Sequence, residues 1–197
     1  MSKFEDKLLL WKFKRGSSEA LERIYSKYET YLITVATALL NNTDAAEDVL
    51  HDFFVSFVKS SDKIRLLGNL KAFLATCVAN LARNRIKRMQ LEPTALDDNC
   101  QIESDLLQPD LLAIQEEETA VLNRAMSQLP YEQREVLILH LHVDLKFTQI
   151  AKLRSASVNT IRSRYRYGLE KLRSLLNSDP CSYAVSMKQR RKTQGQE

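Results

Sequence analysis

Between Val158 and Leu169 the chain carries Asn159, Thr160, Arg162, Ser163, Arg164 and Arg166, and no acidic residue. Amide, hydroxyl and guanidinium groups match the donors and acceptors of base edges and phosphate oxygens, so this segment suits nucleic-acid recognition. A helix that needed only to be soluble would usually mix in acids. A second polar set, Thr76, Asn80, Arg83, Asn84 and Lys87, recurs at helical spacing beside Ala72, Ala75, Ala79 and Ala82. At about 100° per residue the polar set shares one flank and the alanines line the back. A basic flank next to small side chains would let the helix lie close against a phosphate backbone, although an ordinary solvent face has the same pattern.

Other chemistries find little support. His140 and His142 stand two apart, about 200° around a helix axis, so they cannot chelate one metal. The sequence contains no glycine-rich phosphate loop, nucleophile elbow or H-E-x-x-H run. Its carboxylates gather in a stretch expected to be a linker, where nothing rigid would hold a catalytic pair. The chain is read as no enzyme, with no cofactor and no metal site.

The recognition segment needs a helix to present it. Ser157 is a good cap for a helix whose inward stripe is Ile161, Tyr165, Leu169, Leu172 and Leu176. Before it lie a turn at Arg154 to Ala156, a short helix from Phe147 to Leu153, a connection from Val143 to Lys146, and a helix from Tyr131 to about His142. That order predicts a helix-turn-helix whose second helix enters the major groove. A further helix from near Glu116 to Ser127 opens the module. Upstream, residues 18–40 read as a helix or a pair, and Thr43 or Asp44 starts the next, with Val49, Phe53, Phe54 and Phe57 following at helical intervals. Leu70, Phe73, Leu74, Cys77, Val78 and Leu81 mark the clearest amphipathic helix.

Composition frames these elements. The 197 residues include only 4 Gly and 4 Pro, few for a fold with many turns. The fold class expected is all-α: two small helical domains joined by a flexible acidic linker, the second a helix-turn-helix. Residues 1–90 hold fifteen Lys/Arg against ten Asp/Glu, 91–123 none against nine, and 124–178 ten against four. A basic, acidic, basic order suits a protein that grips a polyanion at two places. Solvated surfaces around a linker would give the same order. The expected division is 1–90, a linker at 91–115, 116–178, and a disordered basic tail at 179–197. The three cysteines are scattered, there is no run long enough to insert in a membrane, and residues 1–30 lack a secretory signal, so a cytoplasmic location with reduced thiols is expected.

The motifs resemble the sigma-70 superfamily, extracytoplasmic-function (ECF) group. Leu129 to Leu137 (LPYEQREVL) is similar to the opening of that family's region 4, and Ser157 to Arg164 (SVNTIRSR) to its recognition helix. Asp44 to Val49 (DAAEDV), with Phe53 and Phe54, is similar to its region 2 helix, and Asn69 to Arg88 to the helix ending region 2. The resemblance covers about 18–176. It implies a sigma factor that binds core RNA polymerase and directs initiation at promoter DNA, with an anti-sigma factor as a further partner. It implies polymerase binding by Asp44, Glu47, Asp48, Asp52 and Phe53. The −10 element would be met by Asn80, Arg83, Asn84 and Lys87, with Lys63 and Arg65 in a loop holding a flipped base. The −35 element would be read by Ser157, Asn159, Thr160, Arg162, Ser163, Arg164 and Arg166. The acidic linker would run through the enzyme's RNA channel.

The sequence departs from the family pattern at four places. Ser155 stands for the usual turn glycine, Lys146 for a Ser cap that Thr148 could replace, Arg154 for an apolar residue, and His51 for a Gln. The main rival reading is a helix-turn-helix regulator that binds operator DNA without polymerase. A third is a helical protein that pairs with an anti-sigma partner and has lost promoter activity.

Overall fold

The computed structural model describes residues 3–61, 64, 69–91 and 112–178, and every regular element among them is helical. The first module holds α1 (Lys3–Lys14), α2 (Ser18–Leu40), α3 (Thr43–Lys59) and α4 (Leu70–Leu91). Residues 18–40 form one continuous helix, because apolar side chains keep helical register throughout and no breaker interrupts them. The Ser17 hydroxyl accepts from the Ala20 amide at 3.3 Å to start α2. Asn41, left-handed at φ 54°, ends it. Asn42 then caps α3, its Oδ1 accepting from the Ala45 amide at 2.7 Å. The helix therefore begins at Thr43 with its cap one residue earlier than expected.

Helix α2 is the axis of this module. Ile24, Leu32, Val35, Ala36 and Leu39 are fully buried on it, facing Leu70, Leu74, Ala75, Val78, Ala79 and Ala82 of α4 and the aromatic stripe of α3. The alanine face of α4 is thus core. Ala75, Ala79 and Ala82 have no exposed surface, so the expectation that small side chains would admit a phosphate backbone is corrected for this face. Small residues here bring helix against helix instead. Helix α1, for which the sequence suggested no role, buries Leu9, Leu10 and Phe13 in the same core, with Phe13 stacked on Phe57 at 4.8 Å. Asp6 accepts from Lys27 and from the Tyr28 hydroxyl, both at 2.8 Å, and ties α1 to α2.

The second module holds α5 (Leu112–Ser127), α6 (Tyr131–Leu137), α7 (Phe147–Arg154) and α8 (Val158–Ser178). Helix α5 starts four residues before Glu116. Helix α6 does not run unbroken to His142: a π turn, Ile138–His142, takes over, closed by the Val143 amide on the Ile138 carbonyl at 3.1 Å. The wider turn lets His140 reach back, its Nδ1 lying 2.8 Å from the Leu145 carbonyl while its ring meets Phe147 and Tyr165. Gly168 allows α8 to approach α6, since a Cβ there would lie 3.2 Å from Leu137 Cδ1. Of the expected linker at 91–115, residues 92–111 lie outside the described residues, as does the expected tail at 179–197, while residue 91 ends α4 and 112–115 begin α5.

The two modules touch. Helix α2 meets α5, α6 and the π turn, and buried residues of both modules form one continuous apolar cluster. Polar links cross the same boundary. Arg134 donates to the Leu39 carbonyl at 3.0 Å, at the negative end of α2, and the Tyr31 hydroxyl donates to the His142 carbonyl at 3.2 Å.

Candidate nucleic-acid interface

The α7–turn–α8 unit is built by local capping. The Lys146 amide donates to Gln149 Oε1 at 2.8 Å, so the first helix starts at Phe147 and is closed by Gln149; Thr148 does not shift the boundary. Ser155 adopts the left-handed conformation at φ 49°, and the Ala156 amide returns to the Ala151 carbonyl at 3.0 Å. The turn keeps its glycine-like geometry with a serine in it, at a steric cost of about 1 kcal/mol. Ser157 Oγ accepts from the Thr160 amide at 3.0 Å and starts α8.

Helix α8 buries one side only. Ile161 and Gly168 are buried and Tyr165, Leu169, Leu172 and Leu176 are partly so, whereas Asn159, Thr160, Arg162, Ser163 and Arg166 are exposed and Arg164 is half-buried. Ser157 is exposed as well, though its hydroxyl is engaged with Thr160. The expected recognition residues therefore come together on one open, acid-free surface. Arg166 also donates to the neighbouring Tyr167 hydroxyl at 3.2 Å, which extends that surface by an exposed ring.

The flank of α4 is different. Asn84 and Lys87 are exposed, but Asn80 Oδ1 accepts from Arg154 Nη1 at 2.7 Å and Arg83 Nη1 donates to Glu135 Oε2 at 2.7 Å. Glu135 is fully buried, with Arg154 Nη2 at 2.9 Å and the Tyr131 hydroxyl donating at 2.8 Å. Burial pulls the Arg154 guanidinium below its ordinary value, while Glu135 opposes the shift. Burial and the adjacent carboxylate together push the Tyr131 phenol well up. Sequence reasoning noticed Arg154 as unusual but had no signal for Glu135. Lys63 and Arg65 lie outside the described residues.

On α3, Asp44, Glu47 and Asp52 are exposed, and Asp48 pairs with Arg85 of α4 at 2.8 Å. Phe53 is only 3% exposed and sits among Phe54 and Phe57. It can support a docking surface from beneath but does not itself form one. An open groove of about 480 Å³ runs beside this acidic face, lined among others by Tyr25, Glu29, Glu47, His51 and Phe54. Tyr25 donates to Glu29 at 2.6 Å across one turn of α2. The i, i+4 pair was visible in the sequence; its placement opposite α3 was not. Among the described residues no group of three or more His, Cys, Asp or Glu could hold a metal ion, and no helix is long and apolar enough to cross a membrane.

Residues 24–91 match the family description "Sigma-70 region 2" and residues 119–172 match "Sigma-70, region 4". The ECF RNA polymerase sigma factor EcfG of Rhodopseudomonas palustris is 30% identical over 73% of this chain and 78% of its own length. The chain belongs to the sigma-70 family, ECF group. It is an RNA polymerase sigma factor, a transcription initiation factor, and that decides against the operator-binding regulator. The sigma factor CarQ of Myxococcus xanthus is 26% identical over 84% of this sigma factor and 94% of its own chain. Two solved structures share the fold. RpoE of Bartonella quintana, solved with the anti-sigma factor NepR, has a TM-score of 0.60 at 23% identity over 80% of this chain and 97% of its own. CnrH, solved with the cytosolic domain of CnrY, has a TM-score of 0.59 at 19% identity over 89% and 99%.

Proposed function

We infer that the sigma factor reads promoter DNA with two helices and docks on core polymerase with a third. The observation that carries this reading is the outer surface of α8, where Asn159, Thr160, Arg162, Ser163 and Arg166 are exposed behind a Ser157 cap with no acid between Val158 and Leu169. In this reading region 4, near 116–178, meets the −35 element by direct and phosphate contacts. Region 2, within 1–90, meets the −10 element through Asn80, Arg83, Asn84 and Lys87, with Lys63 and Arg65 near a flipped base. Extruding that base costs on the order of a few kcal/mol, which contacts in the complex must offset.

Polymerase docking falls to the exposed carboxylates Asp44, Glu47 and Asp52, with Asp48 released from Arg85 and Phe53 as support. The acidic stretch 91–115 then threads the RNA channel, where its charge suits a basic passage. An anti-sigma factor is a further partner, a class named with the solved relative RpoE. The protein acts within the cytoplasm and catalyses nothing itself.

Run-off transcription with purified core polymerase tests the reading. Adding the protein is expected to give discrete start sites. Binding to core no tighter than that of serum albumin would overturn it.

A further inference from the structure

Helix α1 is apolar on two sides. Leu9, Leu10 and Phe13 fill the core of the first module, whereas Leu8, Trp11 and Phe4 are 43%, 51% and 74% exposed. At about 100° per residue Phe4, Leu8 and Trp11 fall within about 60° of one another, so they form a stripe about two turns long on the outer side of the helix. A lone exposed apolar residue is ordinary; large ones aligned on a single helix mark a contact surface.

The rim of this stripe is basic. Lys7, Lys12 and Arg15 are exposed around it. The acids of α1, Glu5 and Asp6, are engaged by Lys27 of α2 at 3.2 and 2.8 Å, so their charge is offset from within the fold. Arg15 lies over the Trp11 ring at 4.1 Å, which sets a guanidinium directly beside the indole.

These features narrow the occupant. A second copy would bring Lys7, Lys12 and Arg15 against their equivalents, and like charges repel. A duplex would press its phosphates on an apolar centre that offers them no donor. A single strand could stack on the indole, but Arg15 already covers one face of that ring. An anionic bilayer fits both parts of the surface: apolar side chains enter the acyl boundary, the indole sits at the interface, and the cations meet headgroup phosphates. At 12 residues α1 is too short to span a membrane, so it would lie along the surface.

We propose that α1 is a membrane-docking helix, whose Phe4, Leu8 and Trp11 enter an anionic phospholipid surface while Lys7, Lys12 and Arg15 hold its headgroups. The contact is reversible, since one short stripe is a single weak anchor. It stands apart from promoter reading, because none of these residues is among those assigned to DNA or to polymerase.

Trp11 is the sole tryptophan of the chain, so its fluorescence reports the contact directly. The full chain is titrated with vesicles of phosphatidylcholine alone and of phosphatidylcholine with about one third phosphatidylglycerol. A blue shift and co-sedimentation are expected with the anionic vesicles, at least about tenfold tighter than with the neutral ones and weakened by salt. Leu8→Glu is expected to abolish both signals. Lys7→Glu combined with Lys12→Glu is expected to weaken binding at least about tenfold, at unchanged helix content by circular dichroism. If Leu8→Glu loses helix content, the lysine pair decides alone, because both side chains are exposed. Equal partition to the two vesicle types, or an unshifted emission, overturns the proposal. So does a shift that single-stranded DNA produces and anionic vesicles do not, or one that grows with protein concentration alone. A loss of lipid-free run-off transcription in the lysine pair would give these residues to DNA or polymerase instead, and overturns it too.

Discussion

Two helix faces in this molecule are made of the same kinds of side chain and meet different fates. On α8, Asn159, Thr160, Arg162, Ser163 and Arg166 face solvent; on α4, Asn80 and Arg83 face region 4 and are paired with it. The difference arises from what stands opposite. Among the described residues no carboxylate pairs with Arg162, Arg164 or Arg166 of α8, whereas Glu135, fully buried, sits beside α4. A basic face is therefore open to an outside anion only where the fold leaves it without an internal one.

The sharpest way to break the comparison is Glu135→Ala. It leaves Arg83 and Arg154 without their shared carboxylate in a largely buried site, and a loss of about 3–5 kcal/mol is expected in urea unfolding. A variant within about 0.5 kcal/mol of wild type would mean that the carboxylate does not bind the modules together. Arg162→Ala probes the other face. The side chain is exposed, so stability should stay within about 0.5 kcal/mol, while promoter affinity falls by about 1–3 kcal/mol. An unchanged footprint over the upstream element would count against α8 as the reader. Ser155→Gly sharpens the α8 side from within the turn. Relief of the left-handed serine should stabilise by about 1 kcal/mol, read as a raised thermal midpoint, with promoter use retained.

The smallest effect is acidification. Burial and the nearby Lys71 lower the His142 pKa below its ordinary value where the two modules pack, with Tyr31 of α2 and Lys71 of α4 beside it. The packing of the two modules thus favours neutral His142. Its advantage is complete above the ordinary histidine value of about 6.5 and declines as pH falls from there toward the lowered value. A slight growth in radius of gyration below about pH 6 is expected, absent in His142→Gln. An equal growth in that variant would assign the effect elsewhere.

Much of the molecule was legible in advance for local reasons. The stripe Leu70, Phe73, Leu74, Cys77, Val78 and Leu81 needs only helical spacing to declare α4, and the acid-free run after Val158 needs only counting. Caps were legible to within a residue, since Asn42 rather than Thr43 supplies the acceptor for α3. The π turn at Ile138–His142 was not, because its hydrogen bonds follow from packing around His140 and leave no separate mark in the sequence. Helix α1 stayed silent for a similar reason. Phe13 becomes informative only when Phe57 is known to stack on it.

By itself the sequence determined that the chain is helical, where its two polar, basic segments lie and which family they resemble, because spacing, capping and charge act over a few residues. Only the tertiary structure decided that the alanines of α4 are core, and that Arg83 and Arg154 converge on Glu135 from 52 and 19 positions away. Pairing across such separations is chosen by which surfaces can be desolvated together, and no local pattern records that choice.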